Sequence, residues 1–355
     1  MIEAGWGTWP TLSVGAEEEL MILDATTFAQ VGEVDKIVGT IDGTGLPGVV
    51  KTELFASVCE LATEPCADAE QAGTALRTLR RAARDAAAAH GLAVAAAGSH
   101  PFADPEKQPV VQEPRYTDFV DYAGVSARRQ GVQGLHVHVA MPGPNECHAV
   151  LEAILPWLPL VLALSANSPY LHGRATGMAS NRALVLAELP RSGGPPAFGS
   201  YAGWESWVER LVQIGVTADY TRIWWDVRPH PRLGTLEIRM PDQPTSVARS
   251  TAFVALIREL CRWTLEREPA AVDPAHRGDY AQNRWAASRF GPRAELIHPD
   301  GDRAVHVPEL WEELRRLLAD EPLLDEFDPT SCEGDLQLAL DPHAAAADLV
   351  ARTFA

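Results

Sequence analysis

Cysteine is sparse in this 355-residue chain, and it is never patterned. The five cysteines (Cys59, Cys66, Cys147, Cys261, Cys332) are odd in number, scattered, and nowhere spaced as C-x-x-C. That argues against both a disulfide framework and a zinc knuckle. Basic residues are scarce as well: 30 Lys and Arg stand against 48 Asp and Glu, for a net charge of -18. A field of that sign repels nucleic acid and anionic membrane surfaces. No uninterrupted apolar run reaches the length of a membrane span, and the N-terminus has neither a basic start nor a signal-like apolar stretch. A cytoplasmic protein is the expectation, with neither nucleic acid nor membrane as partner. No phosphate-binding G-x-x-x-x-G-K-S/T loop occurs, and a Rossmann-type nucleotide site is likewise disfavoured. A nucleotide, if used, has to be held by metal ions and arginines. Internal repeats and low-complexity linkers are also lacking, so 1–355 reads as a single domain.

What is present is a set of short alternating segments: TLSVGAEEELMIL, SVCELATEP, LAVAAAGSHP, GLHVHVAMP, WWDVRPHP and TLEIRMPD. Long helical stretches separate them, including 145–167, 203–219, 246–267 and the Ala-rich run stopped by Gly91. The pattern predicts an α+β fold, a sheet with helices packed against one side.

Side chains alternate faces along a strand, so His136 and His138 share one face while Val137 and Val139 line the other. Glu17 and Glu19 likewise share a face opposite to Glu18, and Glu237 and Arg239 sit two apart. Glu53 and Glu60 add two more acids in TELFASVCELATEP. Each segment taken alone reads equally well as a polar strand face turned to water. If the strands are neighbours, five carboxylates crowd together, which is costly unless cations intervene. Hard oxygen ligands with one imidazole suit Mg²⁺ or Mn²⁺ better than zinc.

Together the stretches VGAEEELMILD, ELFASVCELATEPC, AAAGSHPF, GLHVHVAMP, LALSANSPYLHGRATGMASNRA, WWDVRPHPRLGTLEIRMPDQP and NRWAASRFG resemble the carboxylate-amine ligase family typified by bacterial type 2 glutamate–cysteine ligases, from about residue 13 to 291. The resemblance implies a glutamine synthetase-like fold, a curved antiparallel sheet of about six strands flanked by helices. It also implies ATP-dependent amide formation: a carboxylate attacks the γ-phosphate, and an amine then displaces phosphate from the acyl phosphate. Glutamate, through its γ-carboxylate, and cysteine are the substrates it suggests. Such chemistry needs positioning and charge neutralisation more than a nucleophilic side chain.

Carried over residue by residue, the resemblance places Glu19, Glu53 and Glu60 on one Mg²⁺ or Mn²⁺ ion, and Glu17, His136 and Glu237 on another nearer the ATP phosphates. His138 is left without a ligand role, as a second contact to an acid or a satisfied polar residue, and Glu18 is expected to be dispensable. Arg239 and Glu237 are the expected catalytic pair. Arg228, Arg239, Arg284 and Arg289 are expected at the nucleotide, and Arg174 and Arg182 at the substrate, each with an alternative as a partner of nearby acids. GRATGMASNRA suits a loop lining the substrate mouth, and with PRSGGPPAFGS it is a candidate mobile segment. Trp224 and Trp225 are expected to pack under the sheet, one of them alternatively on adenine. Cys59 reads as a small buried hydrophobe. The resemblance suggests a homodimer, and it leaves the segment after about residue 292 undiagnosed.

Two other functions share these features. A phosphotransferase of the guanidino-kinase type uses the same metal-and-arginine logic but releases a phosphorylated product. A non-catalytic sensor of nucleotide or metabolite would be expected to lack Glu53, Glu60 or Glu237, all of which are present.

Overall fold

The computed structural model describes residues 4–41, 43–267 and 274–354. Seven strands form one sheet: β1 (Val14–Asp24), β2 (Gly48–Thr52), β3 (Val58–Thr63), β4 (Leu92–Ala95), β5 (Leu135–Ala140), β6 (Val227–His230) and β7 (Thr235–Ile238). The spatial order is β6-β7-β5-β1-β3-β2, and every pairing is antiparallel. On one flank of β1 the partner changes along its length. β5 pairs with Val14 to Glu18, and β4 pairs with Met21 to Asp24.

Burial along β1 alternates through its first half, with Val14, Ala16, Glu18 and Leu20 inside. That is the period-two signature of a strand with one covered face. Beyond Leu20 both faces are covered, because Met21 and Leu23 pack against Leu349 near the end of the chain. The covering helices are α1 (Ala69–Ala88), α2 (Pro144–Ile154), α3 (Leu158–Ser165) and α4 (Val247–Leu265). Leu76 of α1, Leu160 of α3 and Phe253 of α4 join Val137 and Leu236 of the sheet in the largest core cluster. Helix α5 (His276–Phe290) packs on α3.

The helical expectation for 145–167 is met by two helices rather than one. A 3-10 turn, Leu155–Trp157, separates them, as Pro156 has no amide to continue the ladder. Pro144–Ser165 as a whole is apolar and long enough to cross a membrane, yet 78% of its most apolar window is buried inside the fold. It is a core element. The expected helix at 203–219 runs as Tyr201–Gln213 and gives way to Gly215 at φ 75°.

Strand β2 was not foreseen. It is a five-residue edge strand, and its only sheet neighbour is β3. The residues leading into it, Gly43 to Gly48, spell G-x-G-x-x-G, contrary to the reading that disfavoured such a motif. Here a helix precedes the run and a strand follows it. A dinucleotide fingerprint needs the reverse order, with a strand leading into a helix N-terminus. The segment beyond residue 292 buttresses the sheet's hidden side. Glu333 Oε2 accepts from the Thr245 amide at 2.9 Å, and Gln337 Nε2 donates to Asn167 Oδ1 at 2.7 Å.

Candidate active site

Strand register places the charged residues side by side on the open face. Lys51 lies opposite Glu60, Glu60 opposite Glu19, Glu17 opposite His136, and His138 opposite Glu237, which in turn faces Arg228. Glu53 enters just beyond the end of β2, and its carboxyl shares a hydrogen bond with Glu60. Segments more than 200 residues apart in sequence thus form one polar band across the sheet.

The band divides electrostatically. Burial, then the neighbouring Glu17 and Glu53, hold the Glu60 carboxyl well above the usual range, with Lys51 Nζ at 2.9 Å offsetting only part of this. Burial and Glu19 raise Glu53, and burial together with Glu60 pushes Glu19 up to about 7 despite Arg182 nearby. For these three acids, Lys51 and Arg182 do not outweigh burial and mutual repulsion. In the other half the balance is reversed. Burial alone would raise Glu237, but Arg228, with Nε 2.5 Å from Oε2, and Arg239 bring it well below the carboxylate range. Glu17 follows the same course, lowered against burial by the hydrogen bond with His136 and the charge of His138.

The two histidines differ in their surroundings. His136 Nδ1 lies 3.2 Å from Glu17 Oε2 and 3.4 Å from an Arg239 guanidinium nitrogen. Burial and that guanidinium push its pKa down to about 4. His138 is turned by Thr235, whose Oγ1 lies 3.0 Å from Nδ1. Its Nε2 is buried without a hydrogen-bond partner among the described residues, 4.0 Å from Glu237 Oε1. Ligand atoms of Glu17, His138 and Glu237 all fall within 4.8 Å of one another. An orphaned imidazole nitrogen beside two carboxylates is the donor set a divalent cation requires. This grouping differs from the expected one, in which His136 stood with Glu17 and Glu237.

Two cavities open onto the band. One, of about 270 Å³, meets Glu19, Glu53 and Arg239 and is otherwise walled by Phe55, Phe119 and Trp224 with Arg115 and Arg222. The other, of about 260 Å³, meets Glu17, His138 and Thr235 and is walled by Trp9, Val14 and Leu233. Trp224 is half-buried at the first cavity, while Trp225 packs in an aromatic cluster with Trp204 and Phe198.

Most of the other predicted arginines are engaged elsewhere. Arg228 is buried and holds Glu237 while donating to the Thr221 and Ile223 carbonyls. Arg284 is paired with Asp226 at 2.7 Å, and Tyr280 donates to the same carboxylate. Arg289 donates to the Gly177 carbonyl. Arg182 is buried and donates to the carbonyls of Arg239 and Met240. Arg174 is exposed on the small Tyr170–Ala175 hairpin and lines neither cavity. Of the six, only Arg239 borders a cavity beside the carboxylates. Sequence reasoning missed Lys51, Arg115 and Arg222. Lys51 had a signal, two residues from Glu53 in VVKTEL; the two arginines had none, because only tertiary packing brings them to the sheet.

Residues 13–328 match the model of the glutamate–cysteine ligase family 2. The chain belongs to that family. A Rubrobacter xylanophilus protein named glutamate–cysteine ligase 2-3 is 40% identical over 341 residues, 96% of this chain and 91% of its own. The glutamate–cysteine ligase of Haloferax volcanii is 36% identical over 302 residues, 84% of each chain. Among solved structures, the Francisella tularensis glutamate–cysteine ligase in complex with AMP superposes with a TM-score of 0.71 at 13% identity, over 98% of this chain and 90% of that one. At that identity the likeness bears on the fold alone. As a family 2 member the chain is an ATP-using carboxylate–amine ligase.

Proposed function

We propose that the chain joins the γ-carboxylate of glutamate to the amino group of cysteine, consuming ATP, across the carboxylate band. The observation that carries this reading is the band's position between two cavities of different chemistry. The cavity bordered by Arg239, Arg115 and Arg222 suits anionic amino acids. The less charged one, walled by Trp9, Val14 and Leu233, suits a nucleotide base and ribose. The glutamate carboxylate and the γ-phosphate then meet over the strands.

In the reaction, a γ-carboxylate oxygen bonds to the γ-phosphorus as the bond to ADP breaks. The cysteine nitrogen next bonds to the acyl carbon, phosphate leaves, and the amine gives up a proton. Glu19, Glu53 and Glu60 are suited to one Mg²⁺ or Mn²⁺ ion, and Glu17, His138 and Glu237 to another. Such ions, when bound, screen phosphate charge and orient its oxygens. Arg239, anchored by Glu237, offers a permanently charged fork beside the transferring phosphate. Arg228 fixes Glu237 from behind, and Thr235 fixes His138.

The test is ADP release with Mg²⁺ and ATP, screened over amino acids and amines, with products weighed by mass spectrometry. A product equal in mass to glutamate plus cysteine less water supports the proposal. A stable phosphorylated compound would move the chain to the phosphotransferase reading.

A further inference from the structure

Among the described residues, Arg222 is a cation without a counter-charge. Its guanidinium contacts among the described residues are a hydrogen bond to the Arg115 carbonyl oxygen at 3.2 Å and the face of Phe119 at 6.0 Å, with no carboxylate within ion-pair distance. In a chain of net charge -18 that is a conspicuous omission. The neighbouring Arg115, in contrast, is committed to Glu113 at 3.0 Å. Arg222 borders the same cavity as Glu19, Glu53 and Arg239.

Its backbone is tied to the reaction centre. Arg228 donates to the carbonyls on either side of Arg222, those of Thr221 at 2.9 Å and Ile223 at 2.5 Å, while its Nε grips Glu237 at 2.5 Å. One guanidinium thus sets the distance between the carboxylate band and the short turn Tyr220–Arg222 that carries the free cation. A guanidinium held in this way on an apolar wall can read a planar carboxylate bidentately. A cavity of about 270 Å³ has room for an amino acid beyond its reacting end.

We propose that Arg222 is a specificity-determining residue that binds the α-carboxylate of an amino-acid substrate in this cavity, with Arg228 holding it in register with Glu237. This inference rests on the ligase reading above. Charge-assisted hydrogen bonds of this kind are worth about 1.5–3 kcal/mol, or roughly tenfold to a hundredfold in affinity.

The experiment measures KM separately for glutamate, cysteine and ATP in the wild type, Arg222→Gln and Arg222→Lys, and compares each amino acid with its decarboxylated analogue. In Arg222→Gln the KM of one amino acid should rise roughly tenfold to a hundredfold, with KM for ATP unchanged. Turnover of the decarboxylated analogue should also be unchanged, and Arg222→Lys should fall between. The amino acid whose KM moves is the one Arg222 binds. Unchanged KM values for both amino acids overturn the proposal, and so does an equal loss for substrate and analogue, which would mark a merely structural arginine. If the wild type forms no amide, the ligase reading fails first. Calorimetric binding of glutamate and cysteine to wild type and Arg222→Gln then still decides the arginine's role: a loss of binding supports it, and equal binding overturns it.

Discussion

Arg80 grips Glu18 bidentately, Nε to Oε2 at 2.7 Å and NH2 to Oε1 at 2.6 Å, with both side chains sealed from solvent. Ser250 donates to the same carboxylate at 2.5 Å and Gln243 at 3.1 Å. Gln243 also accepts the Glu19 backbone amide at 3.0 Å. The middle acid of the EEE run therefore backs the two acids that flank it. Glu18 was expected to be dispensable; its face does point away from the band, but its carboxylate is buried and paired.

Glu18→Ala should destabilise the protein by about 3–5 kcal/mol, the cost of leaving a buried partner charge uncompensated. Urea unfolding measures this directly. A change under about 1 kcal/mol, the scale of a surface pair, would show that Arg80 finds other partners.

Glu60→Gln should abolish ATP turnover while leaving the metal-free fold intact or slightly firmer. The substitution removes an anionic ligand and relieves like-charge crowding. Far-ultraviolet circular dichroism and melting in a chelator provide the control. A large drop in melting temperature would assign Glu60 to the fold rather than to the chemistry.

Without divalent metal, the contribution of Glu19 to stability should fall as pH rises from about 4.5 to 7. Glu19 titrates near 7 in the folded chain, so across this window the native state holds a proton that the unfolded state has released. By linkage the part of the unfolding free energy that Glu19 contributes must then decrease with pH, opposite in sign to the buried histidines whose pKa is lowered. A shift of this size corresponds to about 3 kcal/mol. Denaturation in a chelator at the two pH values, for wild type and Glu19→Gln, tests it. The stability of wild type relative to Glu19→Gln should fall between the two pH values, and fall less when Mg²⁺ is restored.

Thr235→Val should weaken Mn²⁺ binding by about 10–100-fold, as the loss of a hydrogen bond that orients a ligating histidine typically does. Thr235→Ser should restore most of it. Electron paramagnetic resonance of free Mn²⁺ reports the affinity without reference to turnover. Unchanged binding in Thr235→Val would remove His138 from the ligand set.

Gly134→Ala should destabilise by about 1–3 kcal/mol, the range for overpacking. An added Cβ would meet the Arg182 guanidinium at 2.0 Å. The Gly134 amide also donates to Glu19 Oε2 at 2.8 Å, so turnover should fall with stability. A melting temperature equal to wild type would show that Arg182 can move aside.

The strands that carry the site were legible because acids or histidines alternate in them with mostly apolar residues: Val14, Ala16, Leu20 and Ile22 in β1, Cys59 and Leu61 in β3, Val137 and Val139 in β5. Strand β2 was not, since a short edge strand next to glycine and proline has little periodicity to read. Spacing could establish that His136 and His138 share a face. It could not say which of them Thr235 turns toward Glu237, because that depends on a strand about 100 residues away. The arginines were hardest. Long, flexible side chains find partners through tertiary packing, so Arg284 went to Asp226 and Arg182 to backbone carbonyls, while Arg222 arrived at the cavity unannounced.

Arg80 also donates to the Thr353 carbonyl, 273 positions further along the chain, at 3.1 Å. Of everything this guanidinium binds, Thr353 is made last. As the polypeptide emerges from the ribosome, β1, β3 and α1 can come together early, but Arg80 still lacks one of its acceptors. Contacts of such long sequence separation form late in folding. The order of synthesis therefore delays the full backing of the carboxylate band until residue 353 has been made, so a shorter nascent chain carries the acids of the band without the support that sets them.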